Sequence, residues 1–128
     1  MKKPSGSILV VDDDEAVLDV FTRVLKREGF PVQAVNSIDQ AKASVEKKDF
    51  AVVLYDLSVG GIRNALELAS SIQEGHSEMT VLMVTGMATP ETKAEITRRG
   101  LKLLEKPFGA KELVEVVSCH LAKKKPAA

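Results

Sequence analysis

Short apolar runs, rich in β-branched residues and free of polar interruptions, recur along the chain. The three clearest runs span residues 8–11, 51–55 and 81–84. Because apolar and polar positions do not alternate within them, they predict strands that are covered on both faces of a sheet. Residues 32–35 and 102–104 predict two further, weaker strands.

The segments between these runs carry apolar side chains at helical spacing, which predicts five helices. The first is expected to bury one face, made of Val17, Val20, Phe21, Val24 and Leu25. The signals for helix ends are a glycine, a capping box and a capped proline, at Gly29, at Ser37 with Gln40, and at Thr89 with Pro90. The third helix is predicted around residues 64–73 and the fifth at about 110–121. Five alternations of strand and helix predict an α/β fold, a doubly wound five-stranded parallel sheet with five helices.

The whole chain fits one domain, which we place at residues 8–122, between flexible ends at residues 1–7 and 123–128. Lysine plus arginine and aspartate plus glutamate number 18 each, so the chain lacks the positive field of a general nucleic-acid or membrane-surface binder. No apolar run suits a membrane span or a signal peptide, and we therefore expect a cytoplasmic protein. The single cysteine, Cys119, is predicted to be a buried small hydrophobe.

Polar residues stand where four of the predicted strands end. They are Asp12, Asp13 and Asp14 after the first strand, Asp56 after the third, Thr85 and Gly86 after the fourth, and Lys106 after the fifth. Ligands of open α/β sheets bind at the carboxyl ends of the strands, so these side chains are expected to share one crevice. Carboxylates about 4 Å apart repel by roughly 4 kcal/mol at an effective dielectric near 20, so the cluster must take up a proton or bind a cation. Because the ligands at hand are all oxygens, the sequence predicts Mg²⁺.

A cation beside a carboxylate, a hydroxyl and an ammonium group suits phosphoryl transfer. Asp56 is the only carboxylate that projects from the central strand, and it is the predicted nucleophile. Lys106 supplies a fixed positive charge and Thr85 a hydroxyl donor for the phosphoryl oxygens. Taken singly, each residue has a simpler explanation, the aspartates at 12–14 as helix-start charges and the others as turn or loop residues. Their coincidence at four strand ends favours the functional interpretation.

The sequence resembles the response regulator receiver family over nearly its whole length. The segments that carry the resemblance are residues 8–13, 53–57, 81–86 and 106–108. The resemblance implies a flavodoxin-like receiver fold with strand order 2-1-3-4-5 and a cis peptide bond between Lys106 and Pro107. It also implies a phosphoacceptor at Asp56, phosphoryl contacts from Thr85 and Lys106, and Mg²⁺ held by Asp12, Asp13 (directly), Asp56 and the backbone carbonyl of Ser58.

Three positions depart from the family pattern. After Asp56 the family usually has a Met-Pro pair, whereas this chain has Ser58 to Gly61, and we expect Gly60 to make the loop more mobile than proline would. Leu103 stands where the family usually has a tyrosine or phenylalanine that rotates inward, which predicts a weakened aromatic readout. Gly109 replaces the polar cap often seen before the last helix, which should have a small effect.

These features predict a phosphoacceptor receiver of a two-component phosphorelay and not an enzyme, with only self-phosphorylation and self-dephosphorylation chemistry. The expected donor is a phosphohistidine on a sensor histidine kinase or a histidine phosphotransfer protein. Phosphorylation would switch a surface that binds an unidentified downstream protein, and no direct contact with nucleic acid or membrane is expected.

Four alternatives remain open at the level of sequence. The receiver could be part of a hybrid histidine kinase or of a transcription regulator. An aspartate-nucleophile phosphohydrolase needs an acid two residues after Asp56, where this chain has Ser58. A flavodoxin-like mononucleotide binder needs a Gly/Ser/Thr-rich loop where residues 12–14 are aspartates. A module that only binds partners would not require the combination of Asp56, Thr85 and Lys106.

Overall fold

Five parallel strands form one sheet in the order β2-β1-β3-β4-β5, and five helices cover its two faces. The computed structural model describes residues 6–124 and the side chains of residues 6–121. In chain order the elements are β1 (Ile8–Val11), α1 (Glu15–Arg27), β2 (Val32–Val35), α2 (Ile38–Lys47), β3 (Val52–Asp56), α3 (Ile62–Gly75), β4 (Thr80–Thr85), α4 (Pro90–Arg98), β5 (Lys102–Glu105) and α5 (Ala110–Lys124). All four strand pairings are parallel. The predicted fold class and strand order are therefore confirmed.

The sheet separates two hydrophobic cores because successive residues of a strand point to opposite faces. In β1, Leu9 and Val11 belong to the core under α2, α3 and α4, whereas Ile8 and Val10 belong to the core under α1 and α5. All four side chains are fully buried. This double coverage explains why β1, β3 and β4 read as unbroken apolar runs in the sequence.

Helix starts follow the predicted capping residues. The Ser37 hydroxyl accepts a hydrogen bond from the Gln40 backbone N–H, and the Gln40 side chain accepts one from the Asn36 N–H. Thr89 caps α4 in the same way, with Pro90 in the first turn. At α5, where no capping side chain was expected, Glu112 reaches back and accepts a hydrogen bond from the Gly109 N–H at 2.9 Å. Glutamate three residues into the helix thus provides half of a capping box for a glycine cap.

Two side chains lie elsewhere than their sequence pattern predicts. Val20 was expected on the buried face of α1, but 54% of it is exposed, whereas Phe21 and Leu25 are buried. Cys119 was expected to be buried, but it is exposed on α5. In both helices only part of the apolar stripe is buried, and these side chains at its edge stay in solvent.

Most of the terminal residues expected to be loose lie outside the described part of the chain. Within it, Ser7 is buried and its carbonyl accepts a hydrogen bond from the Ala51 N–H at 2.9 Å. Helix α5 continues to Lys124, two residues into the segment predicted as a tail. None of the helices between residues 6 and 124 combines the length and apolar character that crossing a bilayer requires.

Candidate functional site

The strand register brings the predicted site residues to one edge of the sheet. Val11 pairs with Tyr55 and Asp56 pairs with Val84, so Asp12 and Thr85 follow directly on either side of Asp56. Thr85 in turn pairs with Glu105, which puts Lys106 next in line. Four positions that are far apart in sequence therefore converge because the strands are parallel and end together.

Asp56 sits at the end of β3 and is 8% exposed. Its Oδ2 atom accepts a hydrogen bond from Lys106 Nζ at 3.1 Å, which is also an ion pair. Its Oδ1 atom accepts from the Ser58 hydroxyl at 2.6 Å and from the Ser58 backbone N–H at 2.8 Å. Burial by itself raises the pKa of Asp56, but the Ser58 hydrogen bonds and the Lys106 charge outweigh it and hold the pKa below its ordinary value. The carboxylate is thus kept ionised in a buried position.

Asp12 is the neighbouring carboxylate and lies in a less favourable environment. It is 3% exposed; Oδ1 accepts a hydrogen bond from the Asp14 N–H at 2.9 Å. Its buried Oδ2 has no hydrogen-bond partner among the described residues. Burial, and then the charge of Asp56, raise the pKa of Asp12 to about 6, although the Asp14 N–H and Lys106 act in the opposite direction. One buried oxygen therefore lacks the partner that buried polar atoms normally have.

The other two aspartates of the acidic run have different positions. Asp13 directly follows the buried Asp12 and is exposed. Asp14 is the N-cap of α1, and its side chain accepts hydrogen bonds from the N–H groups of Ala16 and Val17. The simpler interpretation, a helix-start charge, holds for Asp14. It does not explain Asp12, which is buried and caps nothing.

Thr85 and Lys106 are held together by their backbones. The Thr85 carbonyl accepts a hydrogen bond from the Lys106 N–H at 2.8 Å, and the peptide bond between Lys106 and Pro107 is cis, as the resemblance implies. The buried Thr85 hydroxyl accepts from the Met87 N–H at 3.2 Å. That bond uses an oxygen lone pair, so the hydroxyl hydrogen can still donate to a ligand. A Cβ at Gly86 would only reach ordinary van der Waals distance, 3.9 Å, from the Lys106 side chain.

The loop between β3 and α3 contributes a contact that the sequence did not reveal. Ser58 was predicted to act through its backbone carbonyl, which here accepts a hydrogen bond from the Gly61 N–H at 3.1 Å. Its hydroxyl, by contrast, binds the predicted phosphoacceptor directly. A serine two residues after an aspartate is the only sequence signal for this contact, because the pair can form a turn through the aspartate side chain.

Gly60 has a structural reason to replace a larger residue in this loop. Its φ is +78°, and a Cβ there would lie 2.8 Å from Ile38 Cγ1 and still closer to its Cδ1. The Asn64 side chain donates a hydrogen bond to the Gly60 carbonyl at 2.8 Å. Proline cannot adopt this φ, so the loop takes a path that the family's usual proline would forbid. Greater mobility of the loop stays a prediction.

The donor set fits a hard divalent cation. Asp12 offers an unpartnered buried oxygen next to the ionised Asp56, and the candidate ligand atoms are carboxylate and carbonyl oxygens. Within residues 6–124 no three side chains of the histidine, cysteine, aspartate and glutamate type form a metal-binding group. Mg²⁺ does not need such a group, since it usually binds one or two carboxylates and keeps several waters.

Residues 8–118 match the family model of the response regulator receiver domain. The chain belongs to the response regulator receiver family. This receiver is 31% identical over 111 residues to the nitrogen assimilation regulatory protein NtrX of Azorhizobium caulinodans, which covers 85% of the chain and 24% of that protein. It is 33% identical over 122 residues to a putative NtrX-like response regulator of Rickettsia conorii, covering 92% of the chain and 26% of that protein.

Solved structures agree with this assignment. The receiver superposes on a CheY-like receiver domain protein of Methanospirillum hungatei with a TM-score of 0.86 and 28% identity, covering 92% of this chain and 94% of the other. It superposes on the receiver domain of NtrX from Brucella abortus with a TM-score of 0.80 and 32% identity, covering 90% and 98%. The chain spans about a quarter of the length of the curated regulators it matches. It is therefore a two-component receiver domain, a signalling module similar to those of the NtrX and NtrC regulators.

Proposed function

We propose that Asp56 accepts a phosphoryl group from a phosphohistidine, carried by a sensor histidine kinase or a histidine phosphotransfer protein, with Mg²⁺ bound in the same pocket. The unpartnered buried Oδ2 of Asp12, beside an Asp56 carboxylate paired with Lys106, supports this most strongly. A carboxylate that served only the fold would be neutralised or fully hydrogen-bonded. We assign the metal ligands to the side chains of Asp12, Asp13 and Asp56 and to the backbone carbonyl of Ser58. Within the described residues the three carboxylates do not form one group, so the exposed Asp13 would have to turn toward the pocket when the cation binds.

The transfer is a nucleophilic displacement at phosphorus. A carboxylate oxygen of Asp56 attacks in line, the P–N bond of the phosphohistidine breaks, and its electron pair returns to the imidazole nitrogen. Because Asp56 is held ionised, no proton has to leave it first. The cation, when bound, would neutralise negative charge on the phosphoryl oxygens. Lys106 and the Thr85 hydroxyl donate to phosphoryl oxygens, and water later hydrolyses the acyl phosphate.

An apolar groove beside the site is the proposed docking face for the donor protein. The groove has a volume of about 370 Å³ and is lined by Ala16, Val17, Val20, Phe21, Lys106, Pro107 and Phe108. It is continuous with the site, because Lys106 both lines it and binds Asp56. A protein that brings a phosphohistidine to Asp56 would cover this groove, which accounts for the exposure of Val20.

The phosphorylated form would act through the face made by α4, β5 and α5. Thr85 and Lys106 adjoin the start of α4 and the end of β5, and Lys93 of α4 forms a 2.7 Å ion pair with Glu105 of β5. A new phosphoryl group that draws Thr85 and Lys106 inward would displace these elements together. We propose that the downstream partner is a protein that binds this face.

The relatives of this receiver favour one of the two kinds of larger protein in which it could act. Curated relatives include a DNA-binding transcriptional regulator, NtrC of a Bradyrhizobium strain, at 31% identity over 123 residues that make up 25% of it. We therefore favour a receiver that controls a transcription regulator over one that belongs to a hybrid histidine kinase. A cytoplasmic location would follow from either setting.

Incubation with acetyl phosphate and Mg²⁺, followed by intact-mass measurement, tests the proposal. The wild-type chain should gain one phosphoryl group, which a chelator should prevent. Asp56→Asn should not be modified and Asp12→Asn only weakly, whereas Asp39→Asn, at an exposed position of α2, should behave as wild type. Equal modification of Asp56→Asn would refute the assignment. Continuous turnover of a phosphate ester would instead support the phosphohydrolase alternative.

A further inference from the structure

Ser58 makes two hydrogen bonds to a single oxygen atom of the proposed phosphoacceptor. Its hydroxyl donates to Asp56 Oδ1 at 2.6 Å and its backbone N–H donates to the same atom at 2.8 Å. The other oxygen, Oδ2, accepts from Lys106 at 3.1 Å. Both oxygens of the nucleophile are thus engaged before any ligand binds.

The lone pairs of the Asp56 carboxylate show where a cation could bind it. A carboxylate has about four lone-pair sites, two on each oxygen. The two Ser58 donors occupy both sites on Oδ1, whereas Lys106 occupies one on Oδ2. The positive charge of Lys106 on Oδ2 repels a cation, so Oδ1 is the oxygen expected to bind one, and there a cation must displace one of the Ser58 donors.

The two Ser58 donors differ in how easily they can leave. The backbone N–H is fixed by the turn, in which Val59 N–H donates to the Asp56 carbonyl and Gly61 N–H donates to the Ser58 carbonyl. The hydroxyl sits on an exposed residue and needs only a rotation about one bond to turn to solvent. Only the hydroxyl can be exchanged for a cation without unfolding the turn.

We propose that the Ser58 hydroxyl is a positioning group that holds Asp56 in the metal-free receiver and competes with the divalent cation for Asp56 Oδ1. The inference rests on the proposed function, because it presumes a Mg²⁺ site at Asp12 and Asp56. It assigns the Ser58 side chain a role separate from that of its backbone carbonyl. Ser58 then lowers the affinity for Mg²⁺ while it keeps the nucleophile oriented.

Calorimetric titration of the full chain with Mg²⁺ measures this competition. Ser58→Ala removes the hydroxyl and keeps the backbone bond, and it should bind Mg²⁺ about tenfold more tightly, which corresponds to about 1.4 kcal/mol. Ser58→Thr keeps a hydroxyl at an exposed position and should restore the wild-type affinity. Ser118→Ala, an exposed serine of α5, is the matched control and should leave the affinity unchanged.

A second measurement separates positioning from a general structural effect. The ¹³C chemical shift of the Asp56 carboxyl carbon should differ between Ser58→Ala and wild type without Mg²⁺ and should converge at saturating Mg²⁺. Equal or weaker Mg²⁺ binding by Ser58→Ala, with normal Mg²⁺ binding by the wild type, would overturn this inference alone. A wild-type chain that binds no Mg²⁺ would overturn the proposed function as well.

Discussion

Asp12 and Asp56 are neighbouring carboxylates whose surroundings shift their pKa values in opposite directions. Asp56 receives three hydrogen bonds, of which the one from Lys106 is also an ion pair, and its pKa is lowered. Asp12 receives one hydrogen bond, and its pKa is raised to about 6 by burial and then by the charge of Asp56. Opposite shifts of this kind suit the two roles we propose, with the ionised Asp56 as nucleophile and Asp12, with its unpartnered oxygen, as a ligand for a cation.

Without Mg²⁺, Asp12→Asn should stabilise the protein. The substitution removes a buried, half-unpartnered charge, and the amide can still accept from the Asp14 N–H. We expect the free energy of unfolding to rise by about 1–3 kcal/mol, the usual cost of an unsatisfied buried group. Urea denaturation in the presence of a chelator measures it. Asp13→Asn, at an exposed position, should change stability by less than about 0.5 kcal/mol; a similar gain there would point to general charge repulsion.

The sequence revealed which residues meet at the site but not how their atoms pair. Residues 12, 56, 85 and 106 could be brought together from the strand-end rule alone, since parallel strands share one carboxyl edge. The bond from the Ser58 hydroxyl depends on the side-chain torsion of one loop residue, on which apolar periodicity carries no information. The same holds for the burial of Asp12 and the exposure of Asp13, which are adjacent and identical in type.

At the scale of elements, the loop between β3 and α3 is defined by two glycines with positive φ. Gly60 and Gly61 have φ of +78° and +93°, and a Cβ would meet a neighbour within 4 Å only at Gly60. Alanine substitutions at the two glycines therefore separate two effects of a side chain. At Gly61 the added Cβ would cause backbone strain alone, whereas at Gly60 it would cause backbone strain and steric overlap.

Replacing these glycines should destabilise the receiver to different extents. Gly61→Ala should cost about 1–3 kcal/mol, because its φ of 93° with a ψ of 147° lies in a region that is essentially restricted to glycine. Gly60→Ala adds overlap with Ile38, usually about 1–3 kcal/mol for overpacking, so its total should be about 2–6 kcal/mol. Urea unfolding measures both values. An Ile38→Ala change should recover part of the loss in the Gly60→Ala background only; equal losses at the two glycines would contradict the contact.

Arg99, the C-cap residue of α4, forms hydrogen bonds that connect this helix to α3. The guanidinium donates to the Ser70 hydroxyl at 2.9 Å and to the Leu66 carbonyl at 3.3 Å, both on α3, and to Glu95 at 2.7 Å. In the sequence, an arginine at the end of a predicted helix indicates only a charge that complements the helix dipole. Its partners lie 29 and 33 residues away, and the sequence offers no signal that pairs them.

Arg99→Ala should therefore destabilise the packing of α4 on α3. In a double-mutant cycle with Ser70→Ala, we expect a coupling of about 0.5–1.5 kcal/mol for the bond between them. Arg98→Ala is the matched control, because its side chain is 67% exposed and its ion pair is local to α4. Stability within about 0.5 kcal/mol of wild type is expected for that control. No coupling between Arg99 and Ser70 would show that the bond does not hold in solution.

At the scale of the whole molecule, the fold was predictable because its signals repeat. Five apolar runs alternate with amphipathic segments, and right-handed crossovers leave few ways to arrange them. The sequence did not predict how α1 and α5 are rotated about their own axes, and this rotation leaves Val20 and Cys119 exposed. The apolar periodicity of a helix marks a broad face and does not show which edge of that face stays in solvent.

The proposed function implies that Mg²⁺ couples the site to the stability of the whole receiver. A cation that binds only the folded chain should raise the free energy of unfolding by about 2.7 kcal/mol at a concentration 100 times its dissociation constant. Asp12→Asn should lose most of this gain, since it removes the buried charge that favours the cation. Wild type should therefore be the less stable protein in chelator. The difference should shrink as the Mg²⁺ concentration rises and reverse once the stabilisation by Mg²⁺ exceeds the gain from the substitution.

Thermal and urea unfolding of the two proteins across a Mg²⁺ series measure this reversal. A sodium chloride series of equal ionic strength is the control, because screening alone would affect both proteins in the same way. A constant difference in stability across the Mg²⁺ series would show that Asp12 is not part of a metal site. A reversal that occurs only with Mg²⁺ would show that the cation binds at Asp12. Only a ligand that binds the folded wild type better than the folded Asp12→Asn variant can make wild type the more stable of the two proteins.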